Sequence, residues 1–322
     1  MSKWFIAGGA GFIGSHFTDR LLADPATERV TLYDNFSSGR EWHYQHHEAD
    51  ARLRVVRGDL NETAKLQEAM AGHDAVIHLA SNPDIARAAT DPAIDFREGT
   101  VLTHQVVEAM RVNGVPRLLY ASGSGVYGEL GHREAAEDHG PLQPISTYGA
   151  SKLAGEALIG SYCCMFGLTA RAFRFGNVVG PRQTHGVGFD FVRQLLLNPR
   201  ELRILGDGTQ SKSYIHVSDV VSAVLRAHEQ EQKPFEVYNV ATGDYITVTE
   251  IGQIATEVLE LRPGSTRFVY SGGDRGWKGD VPIVRLNSDR IQALGWRCRR
   301  NTADALRDSM QALVPDAQLA RL

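Results

Sequence analysis

A tyrosine and a lysine with the spacing of one helical turn are the residues best suited to chemistry in this chain. Tyr148 and Lys152 are four positions apart, so on a helix they share one face. A lysine ammonium beside a phenol lowers the phenol pKa. Such a tyrosine can accept or donate a proton near neutral pH. The spacing also fits an ordinary surface pair, so its interpretation depends on what else the chain binds.

A glycine-rich turn near the start of the chain is typical of dinucleotide binding. Gly8, Gly11 and Gly14 form the pattern G-x-x-G-x-x-G between a short apolar run and an amphipathic segment. Glycines allow a tight turn and close approach of a pyrophosphate, which then lies at a helix N-terminus. Asp34 ends the second apolar run, where a carboxylate accepts from both ribose hydroxyls and repels a 2′-phosphate. NAD is therefore expected rather than NADP.

The remaining cofactor contacts are expected at the ends of the next strands. Asp59 can reach the adenine, or it can cap the helix that follows. Small residues after the fourth strand let the cofactor cross the edge of the sheet. The expected cofactor set is Gly8, Gly11, Phe12, Ile13, Gly14, Asp34, Asn35, Ser38, Asp59, Leu60, Leu79, Ala80, Ser81, Tyr148 and Lys152.

The elements that must position these residues alternate between strand-like and helix-like patterns. Such alternation predicts an α/β fold, a Rossmann-type doubly wound parallel sheet with helices on both faces. We expect an NAD-binding domain over residues 1–180, with a return to it around 213–240, and a smaller α/β substrate lobe over most of 181–322. Strand-like runs cover 3–7, 29–33, 53–57, 75–79, 117–121 and 169–173, and helix-like runs cover 12–22, 94–111, 147–166, 218–230 and 249–260.

Length, composition and charge narrow the function classes. The chain has 322 residues, of which 43% are apolar and 22% charged. These values fit about two globular domains and exclude disordered and fibrous classes. A net charge of −4 gives no basic surplus for nucleic acid. No apolar run approaches the length of a membrane span, and the apolar stretch at the start is too short for a signal peptide. Three cysteines do not make a disulfide framework. A cytoplasmic protein is therefore expected.

With these motifs in place, the sequence resembles the extended short-chain dehydrogenase/reductases, and among them the UDP-glucose/UDP-galactose 4-epimerases, over nearly the whole chain. The resemblance implies that Tyr148 removes a sugar hydroxyl proton while the carbon hydride passes to NAD. The keto-sugar then turns over and takes the hydride back on its other face, so NAD stays bound. Besides the motifs above, the resemblance rests on residues 126–128, 174–181, 206–210, 214–217 and 275–281.

The resemblance also implies which residues hold a UDP-hexose. Asn177 would contact the sugar diphosphate, and Lys212 stands where the family often has a phosphate-binding arginine. Arg275 and Asp280 would close on the diphosphate and the uridine ribose. Cations suit a diphosphate, although both could instead be solvated surface charges. His185, in a glycine-rich loop, is either a polar contact to the sugar nucleotide or a plain loop residue.

Two glycines depart from the family pattern. The family's catalytic Ser or Thr falls on Gly123, which Ser122 and Ser124 flank, and a family Asn falls on Gly99. Ser122 and Ser124 are expected to contact substrate. Three interpretations stay open. Ser124 moves in as the catalytic hydroxyl, or the glycines make room for a different sugar or a reaction at another carbon, or the protein binds NAD and nucleotide sugar without turnover. The intact Tyr–Lys pair argues against the third.

Neighbouring chemistries in the same family need acids that this segment lacks. The 4,6-dehydratases carry an Asp-Glu pair after the Ser/Thr, and the UDP-glucuronate decarboxylases carry a Glu. Ser124 and Gly125 offer no acid.

Two further features each allow two interpretations. His43 and His46 have a helical spacing that suits a metal or a solvated helix, and no metal is expected because no further ligand set is evident. The helices at 94–111 and 147–166 carry apolar residues on more than one side. This favours a homodimer formed through these helices, as in the relatives, or full burial of both within one chain.

Overall fold

The computed structural model describes residues 2–230 and 232–318. The chain forms two compact units, each made of three segments. Unit 1 comprises Met1–Val126, Ser146–Arg174 and Val224–Tyr238, and unit 2 comprises Tyr127–Ile145, Phe175–Ala223 and Asn239–Leu322. The division of roles at residue 180, expected from the sequence, stays a prediction.

Strands alternate with helices through the first half of the chain. The strands are β1 (Ser2–Ala7), β2 (Thr27–Asp34), β3 (Leu53–Arg57), β4 (Ala75–His78), β5 (Arg117–Gly123), β6 (Thr169–Phe175), β7 (Asn177–Val179), β8 (Glu201–Ile204), β9 (Ser211–Lys212), β10 (Tyr214–His216), β11 (Phe235–Val240), β12 (Ile246–Thr247) and β13 (Arg267–Tyr270). The helices are α1 (Phe12–Leu22), α2 (Thr63–Met70), α3 (Leu102–Asn113), α4 (Thr147–Phe166), α5 (Val187–Leu197), α6 (Val217–Gln230), α7 (Val248–Val258), α8 (Asp289–Ala293) and α9 (Thr302–Gln318). Short 3₁₀ turns cover Glu41–His43, Gln45–His47, Ile85–Ala89 and Ser124–Tyr127, and a π-helical turn covers Phe96–Val101.

One large sheet has the strand order β11-β6-β5-β4-β1-β2-β3. β1 pairs in parallel with β2 and with β4, β2 with β3, and β4 with β5. The strand order reverses between β1 and β4, and in such sheets ligands bind in the crevice at the carboxyl ends of these two strands. The Rossmann-type α/β fold predicted from the sequence is confirmed.

Local signals explain where the main helices of unit 1 begin and end. Ser146 caps α4 by accepting a hydrogen bond from the amide of Gly149. Gly114 and Gly167 end α3 and α4 with φ of 65° and 72°, a conformation that glycine adopts without strain. The helix expected at 94–111 is instead the π-helical turn followed by α3.

The core of unit 1 lies between the sheet and these helices. Val106, Val107 and Met110 of α3 are fully buried against sheet residues that include Phe5 and Tyr120. Each such side chain contributes about 1.5–3 kcal/mol through burial. The same core includes Ile159 and Cys163 of α4, so it also holds the helix that carries Tyr148 and Lys152.

Unit 2 has short sheets and its own core. β7 pairs in parallel with β10, β8 pairs in parallel with β13, and β9 pairs antiparallel with β12. Phe191, Leu202, Ile251 and Leu306 are buried together between α5, α7, α9 and the strand β8. Thr247 begins α7 in a reciprocal hydrogen-bonded cap with Glu250, so the helix starts one residue before the expected 249. In the described part of the chain, no helix has both the length and the apolar composition that a membrane span needs.

Candidate functional site

The glycine turn packs its backbone directly against the end of β4. Gly8 has φ of 78°, and a Cβ on it would lie 2.8 Å from the amide nitrogen of Ala80. A Cβ on Gly14 would lie 2.6 Å from the carbonyl oxygen of Gly9. Gly11 occupies the N-cap position of α1 and brings no capping side chain. The free amides at this helix start are therefore open to an anion such as a pyrophosphate.

Asp34 is fixed at the end of β2 beside this turn. One carboxylate oxygen accepts from the Ala10 amide at 3.0 Å and the other from the Phe36 amide at 2.8 Å. The side chain is buried, and burial raises its pKa against the lowering effect of these two hydrogen bonds. Each oxygen keeps a second lone pair that can accept from a ribose hydroxyl. The turn and Asp34 thus fit the pyrophosphate and ribose of NAD.

Asn35 and Asp59 are brought together at the carboxyl ends of neighbouring strands. The Asn35 side-chain amide donates to Asp59 at 3.0 Å, and the Asn61 amide donates to the other Asp59 oxygen at 2.9 Å. Partial burial acts to raise the pKa of Asp59, but these hydrogen bonds outweigh it and the net shift is downward. Glu62, not Asp59, holds the N-cap position of α2, so the alternative of a capping role is wrong.

The other expected cofactor residues lie on the same elements. Phe12 and Ile13 begin α1, and Leu79, Ala80 and Ser81 follow β4 directly. Phe12 and Leu60 are buried, whereas Ser38, Leu79, Ala80 and Ser81 are half-buried.

Lys152 is a buried cation beside two tyrosines. Only 3% of its surface is exposed, and its ammonium donates to the Ala121 carbonyl oxygen at 2.8 Å. The Nζ atom lies 5.4 Å from the ring centre of Tyr148 and 5.3 Å from that of Tyr120. Burial acts to lower the pKa of Lys152, but the two phenol groups outweigh it and the net shift is upward. Lys152 therefore stays an ammonium beside Tyr148, which is half-buried and accessible.

A buried aspartate missed in the sequence holds the start of this helix. Asp95 is 1% exposed. One of its oxygens accepts from the Thr147 hydroxyl at 2.6 Å and the other from the Asn82 side-chain amide at 2.8 Å. Because Thr147 immediately precedes Tyr148, this carboxylate ties the first turn of α4 to the loop after β4. Its only sequence signal was a charge inside a helix predicted to be apolar on several sides.

Ser122 and Ser124 have different environments. Ser122 is buried, and its hydroxyl donates to Glu156 at 2.5 Å. Glu156 also accepts two hydrogen bonds from Arg174, at 2.7 and 3.0 Å, in an ion pair that is almost fully buried. Ser124 is half-buried at the start of a 3₁₀ turn, and no described residue hydrogen-bonds its hydroxyl. Glu156, which was not singled out from the sequence, thus engages Ser122 and leaves Ser124 as the available hydroxyl.

The two unusual glycines have different structural reasons. A Cβ on Gly99 would lie 2.0 Å from the Ser151 Oγ, so a side chain there would collide with the helix that carries Tyr148. A Cβ on Gly123 would meet no atom within 4 Å. Gly99 is thus explained by packing, whereas Gly123 leaves space.

In unit 2, three of the expected substrate residues form one charged cluster. Lys212 contacts Asp280 at 2.6 Å, and both side chains are largely buried. Arg275 donates to both oxygens of Glu129, at 3.0 and 3.1 Å, and to the Asp280 carbonyl oxygen at 3.2 Å. The Lys212 ammonium also lies 5.2 Å from the ring centre of Trp277. Glu129 and Trp277 were not singled out in the sequence.

Asn177 and His185 are the other expected substrate residues of unit 2. Asn177 is exposed on β7, and its backbone and side-chain amides donate to the Ser213 carbonyl oxygen at 3.1 and 3.3 Å. It therefore lies beside the segment that carries Lys212. His185 is exposed next to Thr184.

Comparisons with known proteins agree with this geometry. The model of the NAD dependent epimerase/dehydratase family matches residues 4–241. A UDP-glucose 4-epimerase of Mycolicibacterium smegmatis is 31% identical, over 96% of this chain and 97% of its own. A crystal structure of a UDP-galactose 4-epimerase superimposes with a TM-score of 0.84 at 36% identity, covering 98% of this chain and 99% of that one. A dTDP-glucose 4,6-dehydratase from Streptomyces venezuelae, solved with NAD and TYD bound, has a TM-score of 0.89 at 26% identity and 98% coverage of both chains. The chain therefore belongs to the NAD-dependent epimerase/dehydratase family.

Proposed function

We propose that this chain inverts C4 of a UDP-hexose through a transient 4-keto sugar. The two sugars that it interconverts are UDP-glucose and UDP-galactose, or the N-acetyl or uronate counterparts of this pair. The observation that carries the proposal is the pairing of accessible Tyr148 with the buried ammonium of Lys152 on α4. The same unit carries the glycine turn and Asp34, which fit NAD. The dehydratase relatives share this fold, but Ser124 and Gly125, the two residues after Gly123, supply no acid for their elimination.

Each residue has a defined task in this mechanism. The glycine turn and Asp34 would hold NAD, which would supply a reversible hydride acceptor for the sugar carbon. The Tyr148 hydroxyl oxygen takes the proton of the sugar hydroxyl and gives it back after the keto-sugar has turned. Lys152 stabilises the phenolate through its positive charge. Ser124 donates a hydrogen bond to the sugar oxygen in place of the residue missing at Gly123.

Two alternatives follow from the space at Gly123. A bulkier or differently posed sugar would use that space and could react at another carbon. A protein that binds NAD and nucleotide sugar without turnover is the other alternative.

A panel of UDP-sugars, with products resolved by NMR, tests the proposal. We expect a C4 epimer from at least one sugar, and no product from Tyr148→Phe. Tyr162→Phe is the matched control, because Tyr162 lies on the same helix and its hydroxyl donates to Glu108 at 3.1 Å. A product changed at another carbon would refute C4 epimerisation, and no product from any sugar would refute the enzyme.

The charged cluster of unit 2 is proposed to bind the diphosphate. Lys212 and Arg275 supply two cations, and their carboxylate partners Asp280 and Glu129 would turn to the uridine ribose or to solvent. Arg275→Met should weaken UDP binding in calorimetry. Arg267→Met, which removes an exposed partner of Glu201, is the control and should not. Equal binding by both variants would remove Arg275 from the site.

A homodimer through α3 and α4 is also proposed. Within α3 the apolar residues other than Val112 are buried in the chain, whereas Val112 is 51% exposed. On α4, Ala157, Met165 and Phe166 are exposed. An exposed apolar strip of this kind favours a partner. Sedimentation should show a dimer that Ala157→Glu dissociates, and a monomeric wild type would contradict the proposed dimer.

We also propose a cytoplasmic location for the protein, which the low cysteine count supports.

A further inference from the structure

Three side chains outside the proposed NAD and sugar residues bring metal-binding atoms together on unit 1. Asp19 comes from α1, and His46 and His47 come from the 3₁₀ turn after β2. One Asp19 oxygen lies 2.9 Å from the Nε2 atom of His46 and 2.8 Å from that of His47. The donor atoms all lie within 4.8 Å of one another, and the side chains are between 23% and 48% exposed. The cluster is therefore compact and open to ions from solution.

The sequence alone did not show this set. The spacing paired His43 with His46, but His43 is fully buried and its Nδ1 atom contacts the Ala10 carbonyl oxygen at 2.7 Å. The third ligand, Asp19, is 27 residues away from His46 along the chain. The expectation of no metal rested on the lack of such a ligand.

We propose that Asp19, His46 and His47 form a binding site for one zinc ion. Two imidazole nitrogens and one carboxylate oxygen are zinc ligands, and a water completes a tetrahedron. Bonds of about 2.0–2.1 Å place tetrahedral ligand atoms about 3.3 Å apart, so the Asp19 oxygen needs to move only about half an ångström away from each imidazole nitrogen. Nitrogen ligands disfavour calcium and magnesium, which prefer oxygen.

The ion would connect the segment after β2 to the first helix. That segment already touches the glycine turn, since the Arg40 amide and the His43 ring both contact the Ala10 carbonyl oxygen. A zinc bound by Asp19, His46 and His47 would add a second connection, from the segment after β2 to α1, the helix that follows the glycine turn. The ion stabilises the folded chain because the unfolded chain lacks the site.

Calorimetric titration of the chelator-treated, NAD-loaded protein with zinc chloride tests the site. We expect one zinc per chain. Loss of an outer partner alone costs metal sites about 10–100-fold in affinity, so Asp19→Asn, His46→Ala and His47→Ala should each weaken binding at least about tenfold. His132→Ala, which removes an exposed histidine of unit 2, is the control and should bind zinc as the wild type does.

Thermal melting gives an independent readout. Zinc should raise the melting temperature of the wild type and of His132→Ala, but not that of His47→Ala. The variants should fold, because the replaced side chains are at least partly exposed. No zinc uptake by the wild type, or unchanged uptake by the three site variants, would overturn the proposal. An equal rise in melting temperature for the wild type and His47→Ala would do so too.

Discussion

Replacing Gly99 with alanine tests why this chain carries glycine where the family resemblance implies an asparagine. The new Cβ would lie 2.0 Å from the Oγ and 3.3 Å from the Cβ of Ser151. Ser151 is 6% exposed and directly precedes Lys152, so it has little room to turn without moving α4. Overpacking costs about 1–3 kcal/mol, and alanine regains about 0.5–1 kcal/mol over glycine within a helix. We expect a net loss of about 0.5–2 kcal/mol.

The Ser151→Ala variant identifies the source of this loss. By itself it removes the 3.3 Å hydrogen bond from Thr100, at a cost of about 0.5–1.5 kcal/mol. Combined with Gly99→Ala, it removes the 2.0 Å contact between the new Cβ and the Ser151 Oγ. The double variant should therefore lose about 1 kcal/mol less unfolding free energy than the two single losses added together.

Thermal melting and kcat together measure the effect. At about 2.1 cal/mol/K of unfolding entropy per residue, a loss of 1 kcal/mol lowers the melting temperature of a cooperatively unfolding chain of 322 residues by about 1.5 °C. A displaced α4 should also reduce kcat, because catalytic groups shifted by about 1 Å can cost about 100-fold. Gly123→Ala is the control for stability, since its Cβ meets no atom within 4 Å. If the single losses simply add, or if both glycines tolerate alanine equally, Ser151 is not the reason for Gly99.

Four further predictions concern single side chains. Ser124→Ala should lower the rate of C4 epimerisation by about 100–1,000-fold, the usual cost of one hydrogen-bond donor to a developing charge, with NAD retained; an unchanged rate in the NMR assay would exclude Ser124. Glu156→Ala removes the carboxylate from the buried ion pair with Arg174 and should cost about 3–5 kcal/mol in thermal melting, whereas Asp91→Asn, which breaks a solvent-accessible pair with Arg97, should change the melting temperature far less. Asp95→Asn should lower kcat by about 10–100-fold through a displaced tyrosine, and wild-type kcat would show that the carboxylate is dispensable. Burial and the nearby Lys152 ammonium lower the pKa of His78 to about 3. As the pH falls, the unfolded chain therefore binds a proton at His78 before the folded chain does, and the free energy of unfolding should fall by up to about 1.4 kcal/mol per pH unit below pH 6.5. His78→Gln should reduce this dependence of the melting temperature on pH.

The sequence predicted the elements whose signals are local. The apolar runs predicted six of the seven strands of the large sheet, and for β11 the sequence predicted only a return to the sheet around 213–240. The expected helices at 12–22 and 147–166 match α1 and α4 in both bounds. The helix expected at 94–111 is divided because a π-helical turn adds a residue that periodicity does not reveal. Gly8 and Gly14 could be selected because a dinucleotide turn has a fixed spacing.

The residues that sequence reasoning missed are joined over long separations. Asp95 contacts Thr147 across 52 positions, and Glu129 contacts Arg275 across 146. Glu156 engages Ser122 from 34 positions away. A spacing rule detects neighbours on one helix or strand, whereas these pairs depend on the order in which strands enter the sheet. Only the folded chain could show that Ser122 is engaged and Ser124 is available.

The interleaved segments of the two units affect how this protein is made and dissected. Unit 1 needs Val224–Tyr238 for completion, and by the time these residues are synthesised two of the three unit 2 segments already exist in full. Ribosomes extend chains at about 5–20 residues per second, so unit 1 waits on the order of ten seconds after residue 126 for its last strand. A fragment ending at residue 180 would lack β11 and expose β6 as an open sheet edge. Such a fragment should aggregate when expressed alone, and fusion partners belong at the chain termini rather than at the apparent domain boundary.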